Sequence, residues 1–283
     1  MDPGPGSAGG TVVFLHAHPD DEAIFTGGTI ARLASDGRRV VLVVATGGEH
    51  GAPTSAAAVG VDLARQRAEE TWRAARVLGL SRVEFLGYRD SGMLGDAANT
   101  APGAFWAASI EEPARAVADV LVEEEAEALV VYDQVGIYGH PDHVKAHQVG
   151  RRSAELAGVE PLYEVTVDRE YLHFVETHLV VEAGVPGATG ARPGELGLAA
   201  SSIGVPTVVI TTTVDVRPVL PVKRAAMAAH ASQIPETASA MRLPTEAFAA
   251  VYGYEWFVRH GPPGPLEELQ QAGPPAPGPR SAE

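Results

Sequence analysis

Two short segments hold residue types that could do hydrolytic chemistry: His18-Pro19-Asp20-Asp21 and His140-Pro141-Asp142-His143. Each pairs imidazole with carboxylate. Zinc accepts both donor types at ~2.0–2.2 Å, and a catalytic zinc keeps one position open for water. Three ligands drawn from His18, Asp21 and His143 suit that pattern. Asp20 then stays unligated beside the metal, where it could deprotonate a water whose pKa zinc lowers to about 7. A protonated His140 could stabilise an oxyanion and hand a proton to a leaving amine. Asp142 could orient an imidazole through its second nitrogen. Taken singly, each segment reads as structural before catalytic, the first as a turn with a helix N-cap and the second as a helix start. Taken together they favour a metal site.

The other histidines are placed by default. His147 follows His143 by one helical turn and reads as a partner to the ligands or a surface residue. His16 alternates with His18 and points into packing. His50, His173, His178 and His260 have no partner in sequence and read as ordinary surface or satisfied residues. Glu22 reads equally as a helix-dipole carboxylate or as a partner of a ligand.

Both segments need elements that bring them together. Val12–His16 reads as a strand, Asp21–Asp36 as a helix, Val40–Ala45 as a strand and Ala64–Leu78 as a helix ending at Gly79. Val83–Leu86 is a third strand, Ser109–Glu125 a helix, Ala128–Tyr132 a fourth strand and His143–Leu156 a helix. This alternation predicts an α/β fold: a Rossmann-like, doubly wound, mostly parallel sheet with helices on both faces. Such sheets bind ligands beyond the carboxyl ends of their strands. His18 follows the first strand and His140 the fourth, so both segments converge on one crevice. After Gly158 the rhythm weakens into a less regular C-terminal part. Leu162–Val167 and Val205–Thr213 read as strands, Leu220–Ala231 as a helix, and the Gly/Ala-rich stretch from Glu182 to Ser201 as a loop beside the site. One domain over residues 11–260 is expected between Pro/Gly-rich disordered tails, 1–10 and 261–283.

Composition removes several rival chemistries. The 283 residues contain no cysteine, so disulfides, thiolate metal sites and thiol nucleophiles are excluded. The net charge is −15. Lys145 and Lys223 are the only lysines, and no basic cluster supplies a nucleic-acid face. No apolar run reaches the roughly 20 residues of a membrane span, and the N-terminus lacks a signal-peptide pattern. The expected setting is cytoplasmic, with no nucleic-acid or membrane partner; a homo-oligomer stays open. Gly4, Gly6 and Gly9 match G-x-G-x-x-G but precede the first strand, which argues against a nicotinamide enzyme.

HAHPDDE at 16–22 with GGTIARLASDG after it, YGHPDHVKAHQ at 138–148, and AHASQI at 229–234 resemble the LmbE-like (PIG-L) N-deacetylase superfamily. Within it, the likeness is to the actinobacterial mycothiol enzymes, a deacetylase of N-acetylglucosaminyl-inositol and a mycothiol S-conjugate amidase. The resemblance implies zinc, or ferrous iron, on His18, Asp21 and His143, with Asp20 as general base and His140 assisting the tetrahedral intermediate. It implies Tyr138 contacting that intermediate, and Arg67 and Asp90 contacting substrate. An Arg and an Asp are also sensible partners for a polyol's hydroxyls, though a helix-surface Arg and a loop-capping Asp compete as readings. The stretches 96–108 and 158–215 depart from the mycothiol enzymes. The expected activity is hydrolysis of an N-acyl, chiefly N-acetyl, group on a glucosamine-type small molecule. Alternatives are a conjugate amidase, a deacetylase of a secondary-metabolite sugar, and a nonhydrolytic sugar-binding module on the same fold.

Overall fold

A computed structural model describes residues 9–51, 62–175, 203–236 and 238–270. Seven strands form one sheet: β1 (Thr11–His16), β2 (Arg39–Thr46), β3 (Arg82–Tyr88), β4 (Ala126–Tyr132), β5 (Leu162–Thr166), β6 (Thr212–Asp215) and β7 (Tyr254–His260). Their order is β3-β2-β1-β4-β5-β7-β6. The first five run parallel, and β7 enters antiparallel between β5 and β6. The helices are α1 (Asp21–Phe25), α2 (Gly27–Ser35), α3 (Leu63–Leu78), α4 (Glu111–Glu123), α5 (Gly136–Gly139), α6 (Pro141–Ala157), α7 (Arg169–Phe174), α8 (Leu220–Ala229), α9 (Ser239–Arg242), α10 (Thr245–Tyr252) and α11 (Pro265–Leu269).

The doubly wound expectation is met. Central strands covered on both faces need uninterrupted apolar runs, and β2, RVVLVVAT, is buried at every residue after Arg39. One helical layer packs α3 and α2 on α8, and another packs α4 on α6. Helix ends follow local signals. Asp62 caps α3 by accepting from the Arg65 N–H at 3.3 Å, and Gly79 ends that helix at φ 80°. Gly158 ends α6 at φ 68°. The left-handed C-cap is a position that glycine occupies without a Cβ penalty.

Several expectations are corrected. The helix expected over Asp21–Asp36 is two helices broken at Thr26. The cause lies far away in sequence: the Glu255 carboxylate on β7 accepts from the Gly28 and Thr29 N–H groups, at 2.8 Å each, and so starts α2 afresh. The strand expected over Val205–Thr213 is a 3₁₀ turn, Thr207–Val209, followed by the short β6. Its apolar run is not buried; Val208 is 90 % exposed. Strand β7 was not anticipated. The tail expected from Gly261 is ordered as far as Gln270, because Leu266 and Leu269 of α11 bury themselves in the core. The expected loop 182–201, His178, the tail residues 1–8 with Gly4 and Gly6, and residues 271–283 lie outside the described residues. No helix among the described residues is long and apolar enough to cross a membrane.

Candidate metal centre and hydrolytic site

Strands β1 and β4 are parallel neighbours with Phe14 beside Val130. Two residues further on, each strand ends on a polar aromatic side chain, His16 and Tyr132. The chain after β1 turns through His18–Asp21 into α1, while the chain after β4 runs through α5 into α6. Both segments therefore meet at the carboxyl edge of the sheet.

The Tyr132 hydroxyl organises this edge. It donates to Asp21 Oδ2 at 2.7 Å, accepts from the Ala17 N–H at 2.9 Å and lies 3.0 Å from His16 Nδ1. Its ring stacks on His143, with centroids 4.1 Å apart. His16 is fully buried, as expected. Its Nε2 reaches Thr26 Oγ1 at 2.8 Å, and burial pushes it down to about 4, so it stays neutral near pH 7.

Asp21 stands at the middle of the cluster. Its Oδ2 also accepts from the His18 N–H at 2.9 Å, and lies 3.3 Å from His18 Nδ1 and 3.4 Å from His143 Nε2. Donors around a tetrahedral ion at ~2.1 Å sit about 3.4 Å apart, so the gap from Asp21 to each of the two imidazoles is the one two donors of such an ion would show. His18 Nε2 faces the other way, 3.2 Å from Asp142 Oδ2 and 3.7 Å from Asp90 Oδ1. A carboxylate behind a ligating imidazole fixes its tautomer and orientation.

By proximity alone, two groupings among the described residues have donor atoms within 4.8 Å of one another: His18, His140 and His143, and His18, Asp90 and Asp142. The set His18, Asp21 and His143 differs from the first by one residue. His140 Nδ1 is already engaged within the protein. It accepts from the Asp142 N–H at 3.2 Å and caps α6. The fully buried His143 Nδ1 and Asp142 Oδ1 have no hydrogen-bond partner among the described residues. Buried carboxylates at Asp21, Asp90 and Asp142 gather around His18 and His143, and among the described residues no lysine or arginine pairs with Asp21. This donor set fits a divalent cation.

Asp20 is set apart from that cluster. It sits at the N-cap position of α1, yet its side chain makes no capping bond, so the turn-and-cap reading does not account for it. Its backbone is left-handed, φ 100° and ψ −26°, a strain of about 1–3 kcal/mol for a residue with a Cβ. Its Oδ1 lies 3.3 Å from Arg67 Nη2. Burial pushes Asp20 up to about 7, against the pull of Arg67.

Arg67 is buried, and its guanidinium also donates to Gly48 O at 2.5 Å and to Pro19 O. The structure thus gives Arg67 a framing role around the HPDD turn, in addition to its place on a cavity wall. Asp90 Oδ1 accepts from the Gly92 N–H at 2.8 Å and its Oδ2 from the His50 N–H at 3.2 Å. Burial opposes its charge, but His18 and the Gly92 N–H hold its carboxyl below the usual range.

His140 differs from the sequence expectation. Burial and then the neighbouring His18 and His143 push it down to about 4, so it is neutral near pH 7 rather than protonated. With Nδ1 accepting, its proton sits on Nε2. Tyr138 places its hydroxyl 3.5 Å from His143 Nε2, and burial raises its pKa, so it remains a donor. A cavity of about 340 Å³ joins these groups: His18, Asp20, Asp21, Arg67, Asp90, Tyr138 and His140 line it with His50, Met93, Asp96 and Gln233. His50 is exposed, as expected of a surface residue, and also borders this cavity. His147 does not; its Nδ1 bonds Tyr132 O at 3.0 Å. His260 is 3.1 Å from Glu164, well outside the cluster. Tyr132 and Gln233 were missed by sequence reasoning. Tyr132 left a signal, since it ends β4 where His16 ends β1.

A larger cavity of about 360 Å³ shares only Tyr138 with the first. It is apolar, and its two charges, Lys223 and Glu255, pair with each other at 2.7 Å. It holds none of the candidate ligands.

Comparison with known proteins follows the same lines. Residues 13–154 match the family described as GlcNAc-PI de-N-acetylase, PIG-L. A protein of Thermobispora bispora named 1D-myo-inositol 2-acetamido-2-deoxy-alpha-D-glucopyranoside deacetylase is 39 % identical over 274 residues, covering 90 % of this chain and 89 % of its own. A protein of the same name from Streptomyces griseus subsp. griseus is 41 % identical over 241 residues, covering 79 % of this chain and 74 % of its own. Among solved structures, N,N'-diacetylchitobiose deacetylase from Pyrococcus horikoshii superposes with a TM-score of 0.55 at 22 % identity, over 89 % of this chain and 84 % of that one. At that identity the likeness shows the fold alone.

Proposed function

The chain belongs to the GlcNAc-PI de-N-acetylase (PIG-L) family, and from that premise we propose that it hydrolyses the N-acetyl group of an N-acetylglucosaminyl-inositol, releasing acetate and the free amine. The relatives' names support the substrate. One observation carries the chemistry: the HPDD turn is divided. Asp21 lies among the imidazoles of His18 and His143, while Asp20 is turned away into the polar cavity.

His18, Asp21 and His143 would hold one metal ion. Zinc and ferrous iron both accept two imidazoles and a carboxylate; zinc is the favoured choice. When bound, the ion supplies Lewis-acid polarisation and a more acidic water. The chain's own groups do the rest. Asp20 takes a proton from the attacking water. His140 presents its Nε2–H, and Tyr138 its hydroxyl, to the carbonyl oxygen as negative charge develops there. Because His140 is neutral, it is a poor source of a proton for the leaving amine, and Asp20, by then protonated, returns the proton as the C–N bond breaks. Asp142 holds the His18 ring. Arg67 keeps Asp20 from losing its charge in a buried setting. Asp90, Arg67 and the cavity's other polar walls meet the sugar and inositol hydroxyls.

The test uses released amine as readout. Purified enzyme is assayed on N-acetylglucosaminyl-inositol and on a bimane conjugate of mycothiol. Turnover of the first well above the second is expected; the reverse order would make the chain a conjugate amidase. Asp20→Asn should retain metal and lose turnover by about 10²–10⁴-fold, and a fully active variant would remove Asp20 from the mechanism.

A further inference from the structure

The AHASQI segment at 229–234 is distant in sequence from both catalytic segments, and apart from Gln233 on the cavity wall none of its residues has a part in the reaction above. The structure drives it into the back of the HPDD turn. His230, at the C-terminal end of α8, and Glu22, in α1, are both completely buried, and His230 Nε2 lies 2.6 Å from Glu22 Oε1. The second oxygen, Glu22 Oε2, accepts from the backbone N–H of Asp20 at 3.0 Å. On its other side, the Asp20 carbonyl accepts from the N–H groups of Ala23 and Ile24, at 3.0 Å each. The residue with the left-handed backbone is thus gripped at both of its peptide groups, and one grip depends on a histidine more than 200 positions away.

The same segment is itself anchored. Ser232 gives its N–H and its hydroxyl to the two oxygens of Glu70, at 3.0 and 2.6 Å. Glu70 is buried on α3, one turn beyond Arg67, which contacts the Asp20 carboxylate. Gln233 reaches the wall of the polar cavity.

We propose that Glu22 and His230 are positioning residues for Asp20: His230 locks the Glu22 carboxylate, and Glu22 holds the Asp20 peptide in the strained conformation that turns its side chain away from Asp21 and into the cavity. The proposal rests on the reading of Asp20 as general base. A left-handed aspartate relaxes toward ordinary helical or extended backbone unless its surroundings over-determine it. Relaxation would swing the carboxylate by more than the roughly 1 Å that separates productive from poor geometry. Glu22 is well suited to prevent this, because a carboxylate accepts from two directions at once. A glutamine here would put a donating NH2 in place of one of the two accepting oxygens.

The experiment measures kcat, KM and bound metal for His230→Ala, His230→Gln and Glu22→Gln, each alone and in an Asp20→Asn background. Glutamine at 230 restores a donor at the place of Nε2. His230→Ala and Glu22→Gln should lower kcat by about 10–100-fold, with KM changed less than about threefold and metal content unchanged. His230→Gln should recover most of the loss. In the Asp20→Asn background, His230→Ala should cost less than about threefold more, because residues acting through one group are not additive. Normal kcat in His230→Ala, loss of metal, a full additional loss on top of Asp20→Asn, or no rescue by glutamine would each overturn the proposal. Should His230→Ala fail to fold, Glu22→Gln carries the same prediction. If Asp20→Asn is itself fully active, the general-base reading fails; if it is inactive while Glu22→Gln and His230→Ala are normal, only the positioning role fails.

Discussion

Replacing Tyr132 by phenylalanine removes one buried oxygen at the carboxyl edge of the sheet and keeps the ring that stacks on His143. That oxygen has three partners: Asp21 Oδ2 at 2.7 Å, the Ala17 N–H at 2.9 Å and His16 Nδ1 at 3.0 Å. Tyr132 and Ala17 have no exposed surface, and His16 is 1 % exposed, so water cannot substitute without rearrangement. An orphaned buried backbone N–H costs about 1–3 kcal/mol. Asp21 keeps the His18 N–H, so its share is a weakened charge-assisted bond worth about 1 kcal/mol more. His16 keeps Thr26 on its other nitrogen and adds little. The expected loss is about 2–4 kcal/mol in the metal-free protein, measured by urea denaturation in chelator, or roughly 5–12 °C in Tm for a domain of this size. Metal affinity, measured by competition with a chromophoric chelator, should fall by about 10–100-fold, the usual effect of removing a partner of a ligating carboxylate. A stability change below about 1 kcal/mol with unchanged metal affinity would refute the central place given to this hydroxyl.

Three further outcomes follow from the same structure. Prolonged dialysis against chelator should abolish turnover and lower Tm, and readdition of zinc or ferrous iron should restore both, since a ligand at 1,000 times its Kd stabilises by about 4 kcal/mol; activity that survives in metal-free protein would remove the metal from the reaction. Gly28→Ala should destabilise by about 1–3 kcal/mol, because its new Cβ would come 2.3 Å from Val216 Cβ, and a Tm equal to the parent's would show that α2 shifts freely. Glu267 is held below its ordinary value of 4.5: burial opposes the charge, but the Gly264 N–H, Thr212, Tyr163 and Arg259 outweigh it. A depressed carboxylate contributes stability above its ordinary value and loses it as pH falls through the folded one, so stability measured by urea titration should decline below about pH 4.5, with a shallower decline in Glu267→Gln. Equal acid slopes in the two proteins would contradict that contribution.

Much of the parallel half of the fold was legible. Unbroken apolar runs such as that of β2 have few alternatives to a buried strand, and Gly79 and Gly158 mark helix ends through their backbone freedom. The helix break at Thr26 was not legible, because Glu255, which restarts α2, is some 230 residues away. Nor was the true course of 205–215, where apolar residues such as Val208 are exposed and periodicity misleads. The order in the first part of the expected C-terminal tail depends on Leu266 and Leu269 finding a place in the core, which proline and glycine content does not forecast.

The site divides in the same way. Residue type and spacing alone named His18, Asp20, Asp21, His140 and His143, and the rule that parallel strands end at one edge was enough to bring them to one crevice. Donor chemistry is a property of the side chain itself, so it can be read without coordinates. Protonation and orientation cannot, because they depend on what surrounds each group. Burial among other imidazoles made His140 a neutral donor where sequence suggested a cation. Contacts from Arg67, on α3, to Gly48, Pro19 and Asp20 made it a frame for the HPDD turn as well as a wall of the cavity. Tyr132, from the neighbouring strand, became the hub behind Asp21. The sequence by itself determined which atoms could bind a metal and carry a proton; only the tertiary structure decided which of them gather around Asp21, which line the polar cavity, and which hold the others still, since those depend on distances between residues that the chain keeps far apart.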